Sequence, residues 1–177
     1  MSENQELRMK VSFDLDEVLF VNPANHKIED PPKFPFDRLY KERVRLGTKE
    51  LIPKLRELGF DVWVYTSSFR SVNYIKYLFR HYGVTFDGII NGQRHQKEVQ
   101  GDRPYPMPTK LPNFYQISLH IDDEEIVATY GKSYGFDVYQ LDAQDDDWKE
   151  KIIAYADRIR KMEHPESAPA QKNNGNP

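Results

Sequence analysis

Val11-Ser12-Phe13-Asp14-Leu15-Asp16-Glu17-Val18-Leu19 is the stretch on which the reading of this chain turns. An apolar strand pattern runs into two aspartates at positions i and i+2, and apolar residues resume after them. Along an extended strand such residues point to the same face, so the two carboxylates are expected to converge where the strand ends. Carboxylates that close repel each other, and one takes up a proton unless a cation sits between them. The pair therefore suggests a hard metal ion, nucleophile-plus-acid chemistry, or both. A strand closed by an acidic turn is the plain alternative.

Working outward, strand and helix signals alternate. Residues 9–15 read as a buried strand. Residues 48–58 read as a helix with Leu51, Ile52, Leu55 and Leu58 on one side and Gly59 past its end. Pro53 is awkward inside it, which implies a start near Ile52 or a kinked first turn. Asp61 to Thr66 is a run of β-formers, and Ser71 to Tyr82 is a helix with Tyr74, Ile75, Leu78 and Phe79 inward. A short strand, Phe86 to Ile90, precedes a long Pro- and Gly-rich loop over 91–113. Ile117 to Asp123 is a strand ending in acids. A helix near 124–133, a strand Asp137 to Leu141 and a helix starting around Asp145-Asp146-Asp147 complete the order; acids favour such a helix start. This alternation predicts an α/β fold, a doubly wound, Rossmann-like and mainly parallel sheet flanked by helices. Ligands in such sheets bind beyond the carboxyl ends of the strands. Asp14, Asp16, Thr66, Asp122 and Asp123 all fall at that edge.

The 177 residues suit one domain, expected over 9–163 between a disordered leader (1–8) and a disordered polar tail (164–177). A net charge of -3 gives no push toward nucleic acid or an anionic membrane, and nucleic acid is not the expected partner. Basic residues do gather locally, at Arg38, Lys41, Arg43, Arg45 and Lys49, and at Arg94, His95, Lys97, Arg103 and Lys110. With no cysteine there is neither a disulfide framework nor a thiolate zinc site. No signal peptide or membrane-spanning run is visible, so a soluble, cytoplasmic protein is expected.

The order Phe13-Asp14-Leu15-Asp16-Glu17-Val18-Leu19, then Val64-Tyr65-Thr66-Ser67, then Lys110, then Leu119-His120-Ile121-Asp122-Asp123-Glu124 resembles the haloacid dehalogenase (HAD) superfamily. That family consists mostly of magnesium-dependent phosphatases. The resemblance implies Asp14 as the nucleophile that forms an aspartyl-phosphate, and Asp16 as general acid and then base. It implies Thr66, with Ser67 beside it, as phosphoryl-binding groups, and Lys110 as the cation that neutralises nucleophile and phosphoryl group. Mg²⁺ is the implied cofactor, held by Asp14, by Asp16 through its backbone carbonyl, and by Asp123 with Asp122 in support. Lys97 competes with Lys110, which is preferred because it directly precedes the acidic strand.

Glu17, standing where many members carry glycine, is similar to the Asp-Leu-Asp-Glu branch of protein phosphatases. That branch commonly has asparagine where Asp123 stands, so the similarity is partial. The segments 17–47 and 67–110 are too short for a large cap domain. A capless site is open, which in this superfamily goes with macromolecular substrates or with oligomers that cover it. The implied substrate is thus a phosphorylated small molecule or a phosphoprotein, bound through residues 20–46 and 92–109, and a homo-oligomer is compatible with it. Two other readings were weighed. A receiver domain has its phospho-accepting aspartate at the end of the third strand, whereas Asp87 falls within the strand Phe86 to Ile90 and the Asp-Asp pair comes last. A non-catalytic phosphate- or partner-binding module would be signalled by loss of Asp14 or Asp16, and both are present.

Overall fold

The computed structural model describes residues 8–163; the leader to residue 7 and the tail from 164 lie outside the described residues. Five parallel strands form one sheet: β1 (Met9–Phe13), β2 (Phe60–Tyr65), β3 (Gly88–Ile90), β4 (Leu119–Asp122) and β5 (Asp137–Gln140). Their spatial order is β3-β2-β1-β4-β5. From β1 the chain winds one way to β2 and β3, then crosses back to β4 and continues to β5. Right-handed crossovers put oppositely wound connections on opposite faces of the sheet, and the reversal opens a crevice between β1 and β4.

Alternate strand residues divide between the two faces. Val11, Phe13, Val62, Val64, Leu119 and Ile121 join the larger core. This core is completed by α2 (Thr48–Glu57), α3 (Val72–His81) and α6 (Trp148–Glu163), through residues such as Leu51, Leu55, Ile75, Phe79, Ile152 and Ala156. On the other face Tyr65 and Ile90 pack with Val99, Leu111, Tyr115 and Ile117. That face also carries Ser12 and His120, which meet across β1 and β4. A buried polar pair in mid-sheet is unusual, and it leads directly to the site.

The structure departs from the sequence expectations at several points. α2 starts at Thr48, in agreement with the helix read over 48–58, and only the alternative start near Ile52 fails, with Pro53 inside the helix. Its exposed first turn is held from outside, since Glu29 Oε1 accepts from the backbone N–H groups of Gly47 and Lys49, both at 3.0 Å. The expected loop over 91–113 contains α4 (Gly92–His95), which continues into a π-helical turn, Gln96–Gln100. Asn91 caps α4 by accepting from Arg94 N–H. Arg8, placed in the leader by sequence, donates to the carbonyls of Arg56 and Phe60 at 3.1 and 3.0 Å. Asp87 lies before β3 rather than within it, and accepts from Val62 N–H near the start of β2. It therefore sits at the amino edge of the sheet, opposite Asp14, which removes the basis for a receiver reading.

Between β1 and α2 stand the short helix α1 (Phe36–Leu39) and isolated bridges. Among the described residues no segment builds a domain over the carboxyl edge, and no helix is long and apolar enough to cross a membrane.

Candidate active site

The polar stripe on one face of the sheet extends past the strand ends into a buried charge cluster. Asp14, one residue beyond β1, is tied to β4 by its N–H donating to Ile121 O at 3.0 Å. Its Oδ2 lies 2.9 Å from Lys110 Nζ. The same ammonium lies 2.5 Å from Asp122 Oδ2. Asp122 is then oriented on three sides: Lys110, His120 Nε2 at 2.8 Å, and Glu124 N–H on its other oxygen at 3.0 Å. Behind them Ser12 Oγ meets His120 Nδ1 at 2.8 Å. Lys110, His120 and Asp122 are fully buried, and Asp14 nearly so.

Burial raises the Asp14 carboxyl, with the neighbouring Asp122 charge adding to it and Lys110 opposing. Burial would raise Asp122 too, but hydrogen bonds and charge from His120 and Lys110 prevail and hold it at about 2. Burial works against the Lys110 ammonium, yet Asp14 and Asp122 together hold its pKa above the ordinary value. Asp123, half-buried, is pushed up to about 6 by burial and then by Asp122 and Asp14.

Oxygens of Asp14, Asp122 and Asp123 lie within 4.8 Å of one another. Asp14 Oδ1 is buried and has no hydrogen-bonding partner in the protein. An orphaned buried carboxylate oxygen among all-oxygen donors is what a hard divalent cation such as Mg²⁺ requires. These residues fit that ion.

The two opening aspartates do not converge as the strand pattern implied. β1 ends at Phe13 and the chain then turns, with Leu19 and Phe20 N–H both donating to Leu15 O. The i, i+2 alternation stops there. Asp14 goes inward to Lys110, whereas the Asp16 carboxylate is exposed, lies outside the three-aspartate cluster and pairs with Arg70 at 2.9 Å. Arg70 in turn pairs with Glu42 at 3.0 Å, tying the β1–α2 connection to the start of α3. Glu17 adopts φ 58°, a left-handed conformation that favours glycine. The buried Arg45 braces the turn by donating to the carbonyls of Glu17 (2.7 Å) and Val18 (2.9 Å). One member of the first basic run is thus structural, as Lys110 is in the second.

Thr66 follows β2 and is buried. Its Oγ1 accepts from Ser68 N–H at 3.1 Å, which leaves the hydroxyl proton free to donate, and Ser67 beside it is exposed. The cap of α3 is Ser71, which accepts from Tyr74 N–H. Lys97 is exposed on the π-helical turn, while Lys110 reaches Asp14. Arg70 and His120 are site neighbours that the sequence pattern does not single out. The one trace of the second is its i, i+2 spacing to Asp122 on a strand, which sets both on one face.

No family model matches the chain, and no curated protein matches it. Among solved structures it is similar to a predicted HAD-like family hydrolase from Porphyromonas gingivalis. The identity is 14% and the TM-score 0.51, over 84% of this chain and 98% of that one. At that identity the likeness is one of fold: the five-stranded parallel sheet and its helices form a HAD-like, Rossmann-like α/β architecture.

The cluster makes a stability test possible in the presence of a chelator. Asp122 sits below its ordinary value of 3.8, so its contribution is present above that pH and is lost as pH falls toward 2. Asp123 sits above its ordinary value, so stability from that group is greatest below pH 3.8 and is lost as pH rises toward 6. Urea midpoints of the metal-free protein, corrected with the Asp122→Asn and Asp123→Asn variants, should therefore assign the acid limb to Asp122 and a share of the limb between pH 4 and 6 to Asp123, with Asp14, also raised by burial, contributing in the same direction. Parallel curves for wild type and Asp123→Asn over that upper limb would refute the assignment.

Proposed function

We propose that the protein is a phosphomonoester hydrolase acting through an aspartyl-phosphate on Asp14. The observation that carries this is the buried Asp14–Lys110–Asp122 cluster at the sheet's crevice, with Asp14 Oδ1 unpartnered. A carboxylate attacks phosphorus only if its charge is available and the dianionic phosphoryl group is tolerated beside it. Lys110 serves both needs, since its ammonium touches Asp14 and is fixed from behind by Asp122. Thr66 adds a free hydroxyl donor at the same edge for the phosphoryl oxygens. Asp16, exposed at the mouth, protonates the leaving oxygen and then takes a proton from the water that attacks the acyl phosphate. Arg70 holds that carboxylate in the mouth until the phosphoryl group arrives.

Asp14, Asp123 and Asp122 would hold Mg²⁺, with the Asp16 backbone carbonyl as a further oxygen donor. When bound, the ion supplies positive charge that offsets the phosphoryl oxygens and the attacking carboxylate. Asp122 Oδ2 is already committed to Lys110 and His120, so Oδ1, which accepts only the Glu124 N–H, is the oxygen with a lone pair left for an ion. Asp123, raised to about 6, must shed its proton before it can bind an ion. Mg²⁺ affinity measured by calorimetry should therefore strengthen as pH rises from 5 to 7. Asp123→Asn should bind about tenfold more weakly at pH 7 and show a shallower pH dependence, what remains coming from Asp14. A pH-independent affinity in wild type would exclude Asp123 as a ligand.

The direct test is release of inorganic phosphate from phenyl phosphate, expected with Mg²⁺ and absent with chelator. Absence of turnover over a broad panel of phosphoesters would count against the proposal.

A further inference from the structure

Beside the proposed phosphoryl site lies an open recess of about 260 Å³ that the chemistry described above does not use. Its walls include Ser67, Phe69, Gly92, His95, Met107 and Thr109. Two of these are chain neighbours of site residues: Ser67 follows Thr66, and Thr109 precedes Lys110. Consecutive Cα atoms are about 3.8 Å apart, so the walls of the recess begin one residue from the backbone that carries Thr66 and Lys110.

The recess is held by specific contacts. Gly92 N–H donates to Ser68 O at 2.8 Å. A Cβ at Gly92 would come within 2.4 Å of Ser67 O and 2.9 Å of the Phe69 ring, so only glycine lets α4 close against this turn. Leu111 N–H donates to Tyr65 Oη at 2.9 Å, and the same hydroxyl lies 2.5 Å from His95 Nδ1. Burial lowers the His95 pKa, which favours the neutral ring. Gln100 Oε1 accepts from Met107 N–H at 2.8 Å and fixes the loop that carries the methionine.

Every residue lining the recess is uncharged once His95 is neutral, although charged groups crowd the adjacent cluster. Phe69 presents an aromatic ring that is 68% exposed, and Met107 a polarizable thioether suited to ring contact. A cavity of about 150 Å³ already admits a benzene ring. The available volume therefore accommodates one ring with substituents.

We propose that this recess is the leaving-group subsite and that the substrate is an aryl phosphomonoester, its neutral ring lying between Phe69 and Met107. The proposal rests on the phosphatase reading and adds its substrate class. Such a ring can belong to a free small molecule or to a phosphotyrosine side chain.

The experiment compares phenyl phosphate with acetyl phosphate, whose leaving group is too small to fill the recess. It pairs this with competitive inhibition by phenylphosphonate against methylphosphonate on the unaltered protein. Phenylphosphonate should bind about tenfold or more tighter, the scale expected from removing one ring from water. Met107→Trp, and independently Gln96→Trp from the rim, should lower the ratio of kcat/KM for phenyl over acetyl phosphate by about the same factor. A short phosphotyrosine peptide separates the two sources of the ring: turnover at least equal to phenyl phosphate assigns a protein side chain, and poorer turnover a free molecule. Equal inhibition by the two phosphonates, or an unchanged substrate ratio in both variants, overturns the subsite while leaving the phosphatase reading intact. No turnover of either substrate overturns both.

Discussion

Asp14→Asn should abolish phosphate release, lowering kcat by at least about 10⁴-fold, while leaving a folded protein. The amide keeps the shape of the carboxylate but has no charge with which to attack phosphorus. Its effect on folding should be small for a specific reason. Asp14 is nearly buried, and burial already disfavours its charge. Lys110 loses one partner but keeps Asp122 at 2.5 Å, so no unpaired buried ion is created. Phosphate release and a thermal melt of the same preparation measure the two effects together. An Asn variant that melts like wild type yet keeps more than about a tenth of the activity would remove Asp14 from the chemistry.

Lys110→Met should give the opposite combination, a loss of both activity and stability. Removing the ammonium leaves Asp14 and Asp122 buried without the cation they share. Breaking a buried pair from one side costs about 3–5 kcal/mol, a large part of a typical domain's stability. Saturating Mg²⁺ should restore part of that loss, because another cation then lies among the same carboxylates. Lys97→Met, altering an exposed side chain, should stay within about 0.5 kcal/mol of wild type. Urea midpoints for the three proteins, with and without Mg²⁺, check this directly. Indistinguishable midpoints for the two lysine variants would contradict the role given to Lys110.

The fold was legible because its signals are periodic. Leu51, Ile52 and Leu55 recur at helical spacing and are all buried, and the apolar run ending at Tyr65 is a strand in a sheet covered on both faces. Boundaries failed where a distant residue decides them. Nothing local to Pro53 reveals that Glu29 caps the first turn of α2. The segment from Gly92 to Gln100 read as loop because it belongs to a stretch rich in Pro, Gly and polar residues, whereas Asn91 serves as a helix cap.

At the site, the residue types and their order were visible, but side-chain directions past the end of β1 were not. Strand alternation sends Asp14 and Asp16 to one side only while the backbone stays extended, and it stops being extended after Phe13. The partnership of Arg70 with Asp16 spans 54 residues and has no local signal. The Ser12–His120 pair depends on the register of β1 with β4, which only the folded sheet supplies.

The claim on which the rest depends is that Asp14 carries the phosphoryl group during turnover. Acid quenching of the protein during phenyl phosphate hydrolysis, followed by borohydride reduction, converts an aspartyl-phosphate into homoserine. Peptide mass mapping should then find homoserine at position 14 and nowhere else, and only when Mg²⁺ and substrate are both present. Turnover with residue 14 unmodified, or with the label on another carboxylate such as Asp123, would contradict the account.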